Sequence, residues 1–199
     1  MNDVAKRAPE RRRSRNLAFF LGFVRNPELV GSVIPSSRFL SRRLAEAATL
    51  AKARVVVEFG PGTGGTTRAI LDALPDDARL LAIEINPDFV SLLGTDRDPR
   101  LIVHRGSAEH VGDAIAQYGL DAPDVVISGI PFSTMPRALG RRILHAVWSC
   151  LAPGGTFVAY QFRESVARLG RELLGQPEVE LELLNVPPVR VYSWRKPSA

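Results

Sequence analysis

VVVEFGPGTGGTT (residues 55–67) is the stretch whose reading decides the fold. Three valines predict a buried strand, the chain turns on Gly60, Gly62 and Gly64, and residues 64–74 predict the helix that follows. Glycines at such a turn remove Cβ atoms, so a nucleotide can approach the backbone at the carboxyl end of a strand. A dinucleotide site favours a turn and helix N-terminus free of negative charge, because they meet a pyrophosphate. Glu58, two residues ahead of Gly60, sits poorly beside that anion. It suits a cationic or ammonium-bearing ligand.

RLLAIEI (79–85) predicts the next strand, with Glu84 at its end, 20 residues beyond Gly64. An acid there can accept both hydroxyls of a nucleoside ribose, a feature shared with NAD-binding proteins. From Arg54 onward strands and helices alternate, with strands over 54–59, 79–85, 100–104, 123–128 and 155–160. The intervening helices span 64–74, 87–94, 107–118, 135–151 and 163–174. Ahead of them, Ser36 and Ser37 can begin a helix whose apolar face is Phe39, Leu40, Leu44 and Ala47. The alternation predicts an α/β domain, a parallel sheet with helices on both faces. EVELELLN (178–185) and VRVYSW (189–194) are separated only by Val186, Pro187 and Pro188, which allows an antiparallel pair but no helical crossover.

The E-x-G-x-G-x-G run resembles the first motif of class I methyltransferases, and a sheet ending in an antiparallel hairpin resembles their seven-stranded Rossmann-like fold. The cofactor this implies is S-adenosylmethionine, with S-adenosylhomocysteine as product. By the same resemblance Glu58 faces the sulfonium and amino-acid end, and Gly60, Pro61, Gly62 and Gly64 line the methionine portion. Glu84 and Ile85 then hold the ribose, with Ser128 also at the cofactor. Gly106, Ser107 and Ala108 follow the third strand, where such enzymes often place an acid for the adenine amino group. Ser107 departs from that pattern, and it also reads as the N-cap of the helix that follows.

The 199 residues suit one full core, and 45% hydrophobic with 24% charged residues is ordinary for a globular chain. Cys150 is the single cysteine, so no internal disulfide framework exists, and its apolar surroundings predict an inert thiol. His104, His110 and His145 lack the spacing of a metal site, and no metal is implied.

The net charge of +5 belongs to the first 25 residues, which hold seven basic side chains, among them Arg11, Arg12, Arg13 and Arg15, against two acidic ones. The remaining chain is neutral, with 19 of each sign. The basic arm runs into LAFFLGFV (17–24), too short to span a bilayer as a helix and without the core or cleavage site of a secretory signal. We expect residues 1–30 to form a membrane-binding arm, an N-terminal helical extension, and residues 31–199 the methyltransferase-like domain. Phe19, Phe20 and Phe23 would enter the interface of an anionic membrane, where each basic residue contributes about 1 kcal/mol. A tail followed by a helix packed on the core, or an RNA-binding arm, fits the same composition.

The fourth predicted strand ends in SGIPFS (128–133), at the edge that borders the ligand crevice of open α/β sheets. Enzymes that methylate adenine or glutamine amides typically place Asn or Asp, then Pro, then an aromatic residue there. Pro131 and Phe132 match that pattern, whereas Gly129 stands at the acceptor position and has no side chain to accept with. Nucleic acid is therefore disfavoured as a substrate.

Residues 20–45 (FLGFVRNPELVGSVIPSSRFLSRRLA), 56–71, 126–136 (VISGIPFSTMP), 154–162 (GGTFVAYQF) and 186–192 (VPPVRVY) together resemble the bacterial phospholipid N-methyltransferases. The resemblance covers most of residues 20–194. It implies methylation of phosphatidylethanolamine towards phosphatidylcholine, by an enzyme in the cytoplasm bound peripherally to the inner face of the cytoplasmic membrane. Ornithine-lipid N-methyltransferases look similar over the same segments. Backbone carbonyls of Ser128, Gly129 and Ile130 are candidates to accept the amine's hydrogens, and Tyr160 and Gln161 to orient it. Ser36, Ser37 and Arg38, with Pro131, Phe132 and Arg190, are candidates for the substrate. The guanidinium fork of Arg38 or Arg190 fits lipid phosphate oxygens.

Overall fold

The computed structural model describes residues 38–185 and 188–198. The basic arm and its aromatic patch, and the side chains of Ser36, Ser37 and Arg38, lie outside the described residues. The elements are α1 (Arg38–Ala47), a 3-10 turn (Leu50–Lys52), β1 (Val55–Phe59), α2 (Gly65–Ala73), β2 (Arg79–Glu84) and α3 (Pro87–Leu93). There follow β3 (Leu101–Arg105), a 3-10 turn (Ala108–His110), α4 (Val111–Gln117), β4 (Val125–Ser128) and α5 (Arg137–Cys150). β5 (Thr156–Gln161), α6 (Ser165–Leu173), β6 (Glu178–Glu182) and β7 (Val189–Arg195) complete the series.

All seven strands form one sheet in the order β3-β2-β1-β4-β5-β7-β6. The first five are parallel, and β7 runs antiparallel to both β5 and β6. The predicted antiparallel pair is thus present, but β7 is inserted between β5 and β6, leaving β6 at the edge. Every residue of β1 is buried, as befits a central parallel strand covered on both faces. Asp124 Oδ2 accepts the Arg54 and Val55 N–H groups at 2.8 and 3.1 Å, pinning the entry of β1 beside β4.

One face packs Val56, Ile127, Val158, Val189 and Val191 against Leu40 and Leu44 of α1 and Ile70 and Leu71 of α2. On the other face Phe157 and Trp194 stack with ring centroids 5.5 Å apart. A Cβ on Gly170 of α6 would lie 2.3 Å from the Trp194 ring, so only glycine lets that helix approach so closely. Arg43 joins α1 to the edge strand: its Nε donates to Glu182 Oε2 at 2.9 Å and a second nitrogen to Glu180.

Three local expectations need correction. Phe39, predicted on the apolar face of the first helix, is 36% exposed, while Leu40 and Leu44 carry the packing. The single helix expected over 107–118 is a 3-10 turn followed by α4, and Ser107 stands at the N-cap position without a side-chain capping bond. The other helices are one or two residues shorter at their ends than predicted, where turns and bends flank them.

Candidate active site

Three glycines align the carboxyl ends of the parallel strands. Gly60 donates its N–H to the Ile83 carbonyl, Gly106 to that of Glu84 and Gly129 to that of Phe59, each at 3.0 Å. Each bond carries a strand ladder one residue past the strand, so β1 to β4 finish as a level rim.

Two carboxylates converge on this rim. Glu58 is buried on β1, where Thr67 of α2 donates its hydroxyl to Oε2 at 2.7 Å. Glu58 Oε1 is also buried and has no hydrogen-bond partner in the described structure. Burial pushes this carboxyl up to about 7, against the opposing pull of the Thr67 hydroxyl. A buried, unpaired carboxylate oxygen is costly unless something cationic or hydrogen-bonding meets it. Glu84, at the end of β2, is engaged differently. Its Oε1 accepts the Ile85 and Asn86 N–H groups, both at 2.8 Å, and its Oε2 accepts the Gly62 N–H at 3.2 Å.

Between the two acids runs the glycine turn. Gly60, Gly62 and Gly64 all have positive φ, at 68°, 56° and 87°. A Cβ on Gly60 would meet Ile130 Cγ2 at 2.7 Å and one on Gly64 would meet Leu93 Cδ2 at 2.9 Å, so these two glycines serve packing. A Cβ on Gly62 would meet nothing within 4 Å. Gly62 is therefore the glycine with open space beside it, the place for a ligand to approach the backbone. Pro61 is buried and its carbonyl accepts the Gly64 N–H at 3.0 Å, closing the turn.

Comparison with known proteins agrees with this arrangement. No family model matches the chain. It is 33% identical over 185 residues to the ornithine lipid N-methyltransferase of Singulisphaera acidiphila, an alignment covering 91% of this chain and 96% of that one.

The chain belongs to that family of class I S-adenosylmethionine-dependent methyltransferases.

A more local similarity, 36% identity over 98 residues, links it to the ribosomal RNA small subunit methyltransferase A of Caulobacter vibrioides, covering 47% of this chain and 35% of that one. Among solved structures, 1,6-didemethyltoxoflavin-N1-methyltransferase of Burkholderia thailandensis, bound to S-adenosylhomocysteine, superposes with a TM-score of 0.66 at 18% identity. That match covers 99% of this chain and 94% of the other, and it establishes a shared fold.

In this methyltransferase the residues fit a sulfonium nucleoside on two counts, the orphaned Glu58 oxygen and the open flank of Gly62. Glu58, Gly62 and Glu84 are the groups that would hold it. The third-strand segment contributes Gly106, where a Cβ would lie 2.6 Å from His104 Nε2, then Ser107 and the buried Ala108. The sequence did not single out Thr66 and Thr67, which hold Tyr160 and Glu58. The signal was available in part, because a hydroxyl directly after the glycine run can reach back to the strand that precedes it, as Thr67 does to Glu58, whereas the reach of Thr66 to β5 is a long-range contact.

The residues assigned to the substrate fall in different surroundings. Tyr160 is buried on the same sheet face as Glu58, and its hydroxyl lies 3.2 Å from Thr66 Oγ1. Gln161 and Ile130 are engaged with each other, since Gln161 Nε2 donates to the Ile130 carbonyl at 2.5 Å. That bond fixes the turn after β4 instead of leaving either group open. Ser128 is fully buried with a hydroxyl that has no partner in the described structure, and strand alternation turns it to the face opposite Tyr160. Phe132 is 3% exposed and packs beside Gly140 of α5, so its ring is core and not an open stacking platform. Pro131 is half-buried, and its carbonyl accepts the Thr134 hydroxyl at 3.0 Å. Arg190 pairs with Gln161 across β5 and β7, donates to the Phe162 carbonyl at 3.2 Å and lies 4.0 Å from Glu164.

Proposed function

We propose that the chain N-methylates the amine of a membrane lipid, with ornithine lipid as the first substrate to test and phosphatidylethanolamine as the second. The observation that carries this reading is the similarity to an ornithine lipid N-methyltransferase along nearly its whole length. It favours ornithine lipid over the phosphatidylethanolamine expected from sequence. The ribosomal RNA methyltransferase similarity spans about half of this chain. Gly129, which lacks an acceptor for a planar base amine, argues against that substrate.

When bound, the cofactor supplies a methyl group on a positively charged sulfur, open to displacement by a neutral amine. The residues act by binding and placement. Glu58, steadied by Thr67, meets positive charge, and Glu84 accepts hydroxyls while bracing the glycine turn. Holding two reactants in near-attack geometry accounts for roughly 7–11 kcal/mol of rate enhancement. A lipid substrate stays in its bilayer, so the basic arm and Phe19, Phe20 and Phe23 are read as the anionic-membrane anchor, at the cytoplasmic face. No described helix is long and apolar enough to cross a membrane.

Labelled S-adenosylmethionine incubated with vesicles containing ornithine lipid should place label in chloroform-extractable lipid, with less or none on phosphatidylethanolamine vesicles. Label confined to added RNA, or absent from both lipids, would reject the reading.

A further inference from the structure

Gly129 leaves the rim without an acceptor side chain, yet the space such a side chain would fill is occupied. A Cβ built on Gly129 would lie 2.4 Å from the Tyr160 hydroxyl oxygen, 2.9 Å from its Cζ and 3.4 Å from the Gly60 carbonyl oxygen. Gly60, Gly129 and Tyr160 each follow by two residues a member of one cross-strand row, Glu58, Ile127 and Val158, so they share the next row on the same face. The phenol thus reaches over Gly129 from β5, and its oxygen and the Gly60 carbonyl oxygen both border the point where a Cβ of residue 129 would stand. Its partner in the described structure is Thr66 Oγ1 at 3.2 Å, in the first turn of the helix after the glycine turn. A phenolic oxygen has one proton and two lone pairs, so a single contact leaves it capacity for another.

We propose that the Tyr160 hydroxyl, with the Gly60 carbonyl, is the polar pair that receives the substrate amine, replacing the acceptor side chain that position 129 lacks. This rests on the methyltransferase reading above and adds the residue that positions the amine. Burial, with Glu58 nearby, raises the phenol well above the usual tyrosine range, so it stays protonated. The hydroxyl therefore orients an amine and does not remove its proton. It also explains why glycine stands at 129: any side chain there would displace the phenol.

The test uses sinefungin, the cofactor analogue with an amine-bearing carbon in place of the methylated sulfur, and S-adenosylhomocysteine, which has no such amine. Calorimetry on the full chain should find that Tyr160→Phe weakens sinefungin by about tenfold more than S-adenosylhomocysteine, the loss of one hydrogen bond to a charged group. Equal weakening of both would make Tyr160 a latch for the glycine turn and overturn the proposal. Thr66→Val removes the latch while keeping the phenol, and it should leave the ratio of the two affinities within about twofold of wild type. The same ratio change in both variants would also overturn it. On whichever lipid the wild type methylates, Tyr160→Phe should lower kcat by one factor across pH 6–9. A factor growing with pH would make the hydroxyl a proton acceptor and refute the assignment. Neither affinity measurement uses lipid, so a failure of the lipid reading stays separate from a failure of this one.

Discussion

The Gly62 backbone N–H donates to the Glu84 carboxylate across 3.2 Å, tying the turn after β1 to the end of β2. Glu84 is thereby part of the scaffold that shapes the cofactor turn as well as a candidate ribose acceptor. Glu84→Ala strips three backbone N–H groups of their acceptor. We expect a stability loss of about 1–3 kcal/mol by urea melts and at least tenfold weaker S-adenosylmethionine binding by calorimetry. An unchanged dissociation constant would refute the ribose assignment.

Glu58 should make cofactor binding depend on pH. With its carboxyl near 7, the free protein carries it largely protonated at pH 6, while a cationic ligand favours the ionised form. Affinity should therefore rise about tenfold between pH 6 and pH 8, and Glu58→Gln should flatten the dependence. The sign for folding is opposite. A buried carboxyl with a raised value binds its proton more tightly folded than unfolded, so the free protein loses stability as pH rises from about 4.5 to about 7. Melts of the free wild type and of Glu58→Gln should diverge over that window.

Two glycines in one turn should respond differently to alanine. Both Gly60 and Gly62 have positive φ, which costs alanine about 1 kcal/mol. Gly60→Ala adds a collision with Ile130, at 2.7 Å, and should lower the melting temperature further. Gly62→Ala meets no atom and should fold, yet it fills the open flank and should weaken cofactor binding more than it weakens the fold. Equal losses of stability would sink the distinction.

Arg43 holds Glu182 below the usual carboxylate range through its guanidinium, with further help from the Leu184 N–H. A depressed carboxylate contributes stability that is present above its unfolded value and lost as pH falls. Arg43→Ala should destabilise the protein at pH 7 and by less at pH 3, read as the shift in the urea midpoint. A constant shift at both would mean the pairing contributes nothing.

Much of the sheet was legible locally because buried parallel strands advertise themselves as apolar runs, as in Val55–Phe59, and end at glycines. The cofactor turn followed from the same stretch. The insertion of β7 beside β5 was not legible. A short connection between residues 185 and 189 establishes antiparallel pairing but not which strand takes the inner place, and pairings such as Gln161 with Arg190 decide that. Gly129 read as a lost acceptor because its occupant, Tyr160, comes from 31 residues further on. Phe132 read as a substrate contact because its motif places an aromatic residue there, while the packing of α5 takes the ring into the core.

The strand order also imposes a timetable on biosynthesis. Among the strands β6 pairs with β7 alone, and β7 is the last of the seven to leave the ribosome. The five parallel strands from β3 to β5 can associate while the chain is still being made, as nascent domains do from their N-terminal side. Until residues 189–195 emerge, β5 keeps a bare edge, and the Glu180 and Glu182 carboxylates have no strand to present them to Arg43. A nascent chain stalled before that point should therefore be the most aggregation-prone intermediate of its synthesis.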